Sequence, residues 1–148
     1  MKIQTSYHGE ILIEERDRLV FKNGIPGFGD ETSFMLLPVP ENPIFQVLQS
    51  TNTPGLAFIV TNPFHFFEGY DFTLETGTLD QLGIQQESDV LVYTILTLKN
   101  PFENSTANLQ APIVINQKNN HGKQVILNHP DYKTRHLFVE SQTASMKG

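Results

Sequence analysis

The 148-residue sequence predicts a mainly β protein, a single antiparallel β-barrel-like domain with one short helix. Three observations predict it. Short segments rich in β-branched and aromatic residues recur along the chain, bounded by Gly, Pro, Asn and Asp. They lie too close together to leave room for crossover helices, which argues against parallel βαβ units. Finally, 39% hydrophobic residues against 18% charged ones supply one real core, and a chain of this length buries about 70% of its unfolded surface on folding.

Residues 2–7 and 10–13 open the chain as two strands separated by His8-Gly9. Residues 18–21 form a third, ending at Asn23-Gly24, a turn dipeptide suited to positive φ. Strands follow at 33–37, 44–49 and 56–61, and a seventh is expected at 70–74. The helix is predicted at 78–82, with Thr78 as N-cap, Asp80 as an early acid for the helix dipole and Gly83 as a stop. The next strand, 90–98, carries Val90, Leu91, Val92, Tyr93, Ile95, Leu96 and Leu98. That run implies burial on both faces at its centre and makes it the expected spine of the core. Residues 113–117 and 123–127 read as a hairpin across the polar loop 118–122. Ten strands at this spacing point to a barrel or sandwich. No repeat, low-complexity tract or linker divides residues 1–140, and the small, polar stretch 141–148 is expected to be a flexible tail.

Charge is unevenly laid out. Net charge is −6, yet no Lys or Arg lies between Lys22 and Lys99, a gap that holds nine acids. A field of this sign repels phosphate backbones, so no direct nucleic-acid binding is expected. The gap is either a solvated acidic face or a docking face for a basic partner. Cysteine is absent, which removes disulfides, thiolate nucleophiles and sulfur-ligated metals and fits a reducing cytoplasm. No signal-like or membrane-spanning apolar run is present in the sequence, so neither export nor a membrane partner is expected.

Chemistry finds little to start from. There is no Gly-x-Ser-x-Gly elbow, phosphate loop or dinucleotide fingerprint, so no enzyme and no cofactor are expected. His121, His129 and His136, with Asp131 nearby, are the best metal candidates and the seed of a metal-dependent hydrolase reading, but their spacing matches no metal motif. Three motifs are more distinctive. Gly24-Ile25-Pro26-Gly27-Phe28-Gly29 fixes a tight loop that holds Ile25 and Phe28 in set directions. Residues 62–70 carry Phe64, Phe66, Phe67 and Tyr70, a density that leaves some rings at the surface beside acids. Residues 105–112 read as a shaped loop leading into a strand. The candidate protein-binding residues are therefore Phe64, Phe66 and Tyr70 as anchors, with Glu68, Asp71 and Glu75 acting electrostatically. Two other readings of the same aromatics are burial in the core and the lining of a small-ligand or carbohydrate-binding barrel.

At these motifs the chain resembles the FliW family of flagellar assembly factors. The resemblance runs in order through Gly24-Ile25-Pro26-Gly27-Phe28, Leu48-Gln49-Ser50, Phe58-Ile59-Val60, Asn62-Pro63-Phe64, Ser105-Thr106-Ala107-Asn108-Leu109, Ala111-Pro112 and Val114-Ile115-Asn116, and covers residues 1–138. Gly29 departs from it, standing where many relatives carry an acid, with Asp30 and Glu31 just beyond. The resemblance implies a cytoplasmic factor with two protein ligands, flagellin and the RNA-binding translational repressor CsrA. Such a factor holds CsrA away from flagellin mRNA until newly made flagellin competes for it. Flagellin's terminal region, helical and amphipathic, would need an apolar groove, for which residues 64–70 are the candidate.

Overall fold

The computed structural model describes residues 1–137. The expected tail at 141–148 lies outside the described residues. Eleven strands and one helix are present among them: β1 (Lys2–Gln4), β2 (Glu10–Leu12), β3 (Leu19–Val20), β4 (Ser33–Pro38), β5 (Phe45–Ser50), β6 (Ala57–Thr61), α1 (Thr76–Leu82), β7 (Val90–Thr97), β8 (Thr106–Ala107), β9 (Ile113–Asn116), β10 (His121–Gln124) and β11 (His136–Leu137).

Seven of the strands close on themselves. Going round, β7 pairs with β6, then β5, β4, β3, β10 and β9, which returns to β7. Each antiparallel pairing reverses strand direction, so an odd ring cannot close with antiparallel pairs alone. The parallel pair is β3 with β10, a single register match of Val20 to His121, and Val20 N–H donates to Asn120 O at 2.8 Å. No βαβ unit is involved. The closure depends on Gly122 in β10, because a Cβ there would lie 2.7 Å from the Phe21 ring.

Strand alternation sorts the apolar residues into three clusters. Inside the barrel, Phe21, Phe34, Leu48, Val60, Ile113 and Ile115 are fully buried, and Phe21 meets Phe34 edge-on at 5.3 Å between centroids. On the outer face of β4 and β5, Met35, Leu37 and Val47 pack under the β1–β2 hairpin, which contributes Ile3 and follows into Ile13. On the outer face of β7 and β9, Leu96 and Val114 are covered by the segment after β6, by α1 and by Val125 and Leu127. The 24–29 loop seals the interior: Ile25 points in and is buried, while Phe28, bonded back to it through both backbone groups, is 43% exposed.

Several sequence expectations need correction. Residues 70–74 form no strand. Asn62-Pro63 ends β6 in a single 3-10 turn, with the Asn62 side chain accepting from Phe64 N. The chain then runs as a strap anchored by side chains: the Tyr70 hydroxyl donates to Leu109 O at 2.7 Å, and the Tyr132 hydroxyl serves both backbone groups of Asp71 at 3.0 Å. The helix starts at Thr76 with Glu75 as N-cap, so Thr78 lies within it and is buried. Gly83 does stop it, at φ +66°, and Asn116 and Asn119 side chains cap the Leu82 carbonyl. The last hairpin turns earlier than expected, through Asn120 at φ +60°, so β10 begins at His121. Short pairings at β8 and β11 arise where the sequence showed a loop and no strand signal. The spine is also displaced: β9 is buried at every position, while Val90 to Tyr93 of β7 are half-buried.

Candidate functional site

That incomplete burial marks the site. β7 turns Val90, Val92, Thr94 and Leu96 outward. Thr94 is sealed by its hydroxyl donating to Asn108 O at 2.6 Å, and Leu96 is buried in the outer cluster. Val90 and Val92 are left on an open groove of about 700 Å³. Its walls are the strap residues Phe72, Thr73 and Leu74 on one side and Leu79 of α1 with Ile84 on the other, and Phe64 also lines it. The apolar excess of β7 therefore goes partly to the barrel and partly to a groove lined by aliphatic and aromatic side chains, the general character of a binding surface.

The electrostatics are one-sided. Asp71 and Glu87 are the acidic residues on the lining, and among the described residues no Lys, Arg or His joins them. A smaller cavity of about 200 Å³ has the opposite sign: Lys22, His121 and Lys123 line it, and Lys123 Nζ donates to Gln81 Oε1 at 2.7 Å.

The structure separates the six candidate residues by role. Phe64 is 48% exposed and lines the groove, with its ring centroid 5.7 Å from that of Tyr70. Asp71 lines it too. Phe66 and Tyr70 are core residues, 8% and 6% exposed. Phe66 stacks on Phe45 with rings 3° from parallel. Tyr70 spends its hydroxyl on Leu109 O, and burial, with Tyr132 alongside, pushes its phenol above the ordinary range. These two rings hold up the wall behind Phe64. Glu68 and Glu75 are exposed and lie outside the lining. Sequence reading missed Leu74, Leu79, Ile84, Val90 and Val92. The available signal was the apolar run of β7, longer than one buried face needs.

The late histidines are engaged locally. His129 stacks on Tyr132, with centroids 4.3 Å apart, and its Nδ1 accepts from Asp131 N. His136 Nε2 accepts from Lys133 N, and burial together with the Lys133 charge lowers its pKa. Among the described residues no group of three or more His, Cys, Asp or Glu side chains converges. No helix among them is long and apolar enough to cross a membrane.

Comparison with known proteins gives a consistent result. The sequence model of a family described as FliW protein matches residues 2–138. The flagellar assembly factor FliW of Geobacillus kaustophilus (strain HTA426) is 53% identical over 141 residues, spanning 95% of this chain and 97% of that protein. The flagellar assembly factor FliW of Bacillus subtilis (strain 168) is 48% identical over 136 residues, 92% of this chain and 95% of that protein. A crystal structure of the flagellar assembly factor FliW superposes with a TM-score of 0.89 at 50% identity, covering 93% of this chain and 96% of that one.

Proposed function

Because the chain belongs to the FliW family of flagellar assembly factors, we propose that it is a non-enzymatic, cytoplasmic protein-binding regulator that takes flagellin and the translational repressor CsrA as its ligands. The observation that carries this reading is the groove over Val90 and Val92, with its apolar lining, its Asp71 and Glu87 carboxylates and no Lys or Arg among the described residues that line it. An amphipathic terminal segment of flagellin would set its apolar side chains against Phe64, Leu74 and Ile84. The surrounding acids, Glu68, Asp71 and Glu75, would attract the basic RNA-binding surface of CsrA and repel the message. Binding of CsrA would release flagellin mRNA for translation, and newly made flagellin would return the repressor by competition. No nucleic acid or membrane is a direct partner in this scheme. The stacking surface that a carbohydrate-binding barrel would need is reduced to one exposed ring of the four between residues 62 and 70.

The test is calorimetry of the full chain against purified CsrA at several salt concentrations. Reversing Glu68, Asp71 and Glu75 to Lys together should weaken binding and flatten its salt dependence. Unchanged affinity in the triple variant would retire the electrostatic half of the proposal, and failure of purified flagellin to bind the unaltered chain would retire the other.

A further inference from the structure

The smaller, cationic cavity is separate from the groove. Leu79 of α1 lines the groove and Gln81 lines the cavity, about 200° further round the helix. It forms where the barrel closes. Gly24 N–H donates to Phe21 O at 2.8 Å, which makes Lys22 and Asn23 the corner of the turn leaving β3. In β10, a Cβ on Gly122 would strike the interior Phe21 ring, so Gly122 faces in and its neighbours His121 and Lys123 face out. Lys22, Asn23, His121 and Lys123 all line the cavity with Gln81. The Lys123 ammonium can only donate, so it meets the Gln81 amide at its oxygen and leaves the –NH2 as the outer end. No Asp or Glu lines the cavity. Other cations on the segments flanking β3 and β10 are neutralised: Arg16 by Glu14, Arg18 by Glu15 at 3.1 Å, and Lys118 by Asp89 at 3.7 Å. Lys22 and Lys123 meet no carboxylate among the described residues.

We propose that this cavity binds a tetrahedral oxyanion of the phosphate type, free or as a small monoester, with Lys22 and Lys123 as its two charged donors. Two ammonium groups on one solvent-open space, with no carboxylate between them, raise the local potential and favour an anion there. The donor set selects the geometry of that anion. Five polar side chains able to offer N–H groups come from three segments: the turn after β3, α1 and β10. A carboxylate has two oxygens in one plane, whereas a tetrahedral oxyanion spreads its oxygens in several directions and can be met from all three segments. Lysines suit it as point charges, without the planar fork by which arginine recognises carboxylates. The cavity volume of about 200 Å³ exceeds that of a phosphate group, so the substituent of a monoester can extend toward solvent. A nucleic-acid backbone needs a row of such cations, and here there is one cavity in a chain of net charge −6. The Lys123–Gln81 bond also ties β10 to α1. Anion binding is separable from that tie because it draws equally on Lys22, which comes from the turn after β3.

The test follows the backbone amide shifts of the full chain by NMR while inorganic phosphate replaces chloride at constant ionic strength. Shifts at residues 22–24 and 121–123 should saturate with a Kd of about 10 mM or tighter. Lys22→Met and Lys123→Met should each weaken that binding about tenfold, the loss of one charge-assisted hydrogen bond. Lys22 is exposed, so its variant keeps the fold and reads binding alone. Lys118→Met removes a cation outside the lining and should leave the Kd within about twofold. Acetate should bind at least about fivefold more weakly than phosphate. Glycerol phosphate distinguishes the two sources: binding at least as tight as that of phosphate assigns a monoester, and weaker binding assigns the free anion. Shifts that rise linearly without saturating would overturn the proposal. So would acetate binding as tightly as phosphate, or Lys118→Met weakening binding as much as Lys22→Met does. A short oligouridylate that binds the same residues more than about tenfold tighter than phosphate would assign the cavity to nucleic acid and overturn it as well.

Discussion

The barrel has two apolar outer faces, and they are covered in different ways. Over β4 and β5, the β1–β2 hairpin lies flat, so that Met35, Leu37 and Val47 are all buried beneath it. Over β7, the strap after β6 helps to bury Leu96 but leaves Val90 and Val92 on a groove. The hairpin bonds its two strands to each other, with Ile13 N–H donating to Met1 O at 2.8 Å and Thr5 N–H to Gly9 O at 2.9 Å on either side of the Ile3–Ile11 pair, so it keeps its shape as it packs on the barrel. Strap residues 72–74 have no such partners among the described residues. In this fold the covering segment whose two strands bond to each other buries the face beneath it, and the one without such pairing leaves a groove.

Truncation on the two faces should separate them most strongly. Met35→Ala under the hairpin should cost about 2–5 kcal/mol in urea unfolding, because a buried side chain is removed and its cavity remains. Val92→Ala on the groove should cost less than about 1 kcal/mol, since part of that surface is already wet. Equal losses at the two positions would break the comparison. Next in size is Tyr70→Phe, which leaves the buried Leu109 carbonyl without the donor that pins the strap, an expected loss of about 1–3 kcal/mol in thermal unfolding. A neutral result would mean the strap is held by ring packing alone. Phe64→Ala should change stability by no more than about 0.5 kcal/mol while lowering flagellin affinity about tenfold, the behaviour of an exposed anchor. If stability falls instead, Phe64 belongs with the core rings Phe66 and Phe67.

The smallest effect concerns pH on the β5 side of the barrel. Hydrogen bonds from Ser50 and then Thr53 hold the Glu31 carboxyl below its ordinary value of 4.5. The folded state therefore binds this proton less readily than the unfolded chain does. The contribution is complete above about pH 4.5 and is lost as pH falls through the lower folded value. Stability measured against pH should lose part of that acid limb in Glu31→Gln, and an identical profile would show that the Ser50–Thr53 loop does not depend on the carboxylate.

Much of this architecture could be read locally. Gly24 was expected to take positive φ, and it does so at +68°, with a hypothetical Cβ 2.5 Å from the Phe28 carbonyl. Gly83 was expected to end the helix, and the alternation of β4 and β5 names the residues on each face. The site was legible only in part. Clustered aromatics before Asp71 pointed to the segment beside the groove, but the count of rings could not say that Phe64 faces the groove while Phe66 and Tyr70 stand behind it. Residues 70–74 have the composition of a strand, yet a strand also requires a neighbour, and Tyr132 and Leu109 claim this segment through side chains.

By itself the sequence determined the mainly β class, the positions of most turns, the stretch without Lys or Arg from residue 23 to residue 98 and the membership of the FliW family. These follow from composition, from two-residue periodicity and from backbone preferences that each residue carries with it. Only the tertiary structure decided that β3 and β10 close the barrel in parallel, and that the β6–β7 pairing stops at Thr61 and Thr94, short of Val92 and Val90. Whether a backbone group is satisfied depends on which residue lies across from it, and that is set by register between segments distant in the chain.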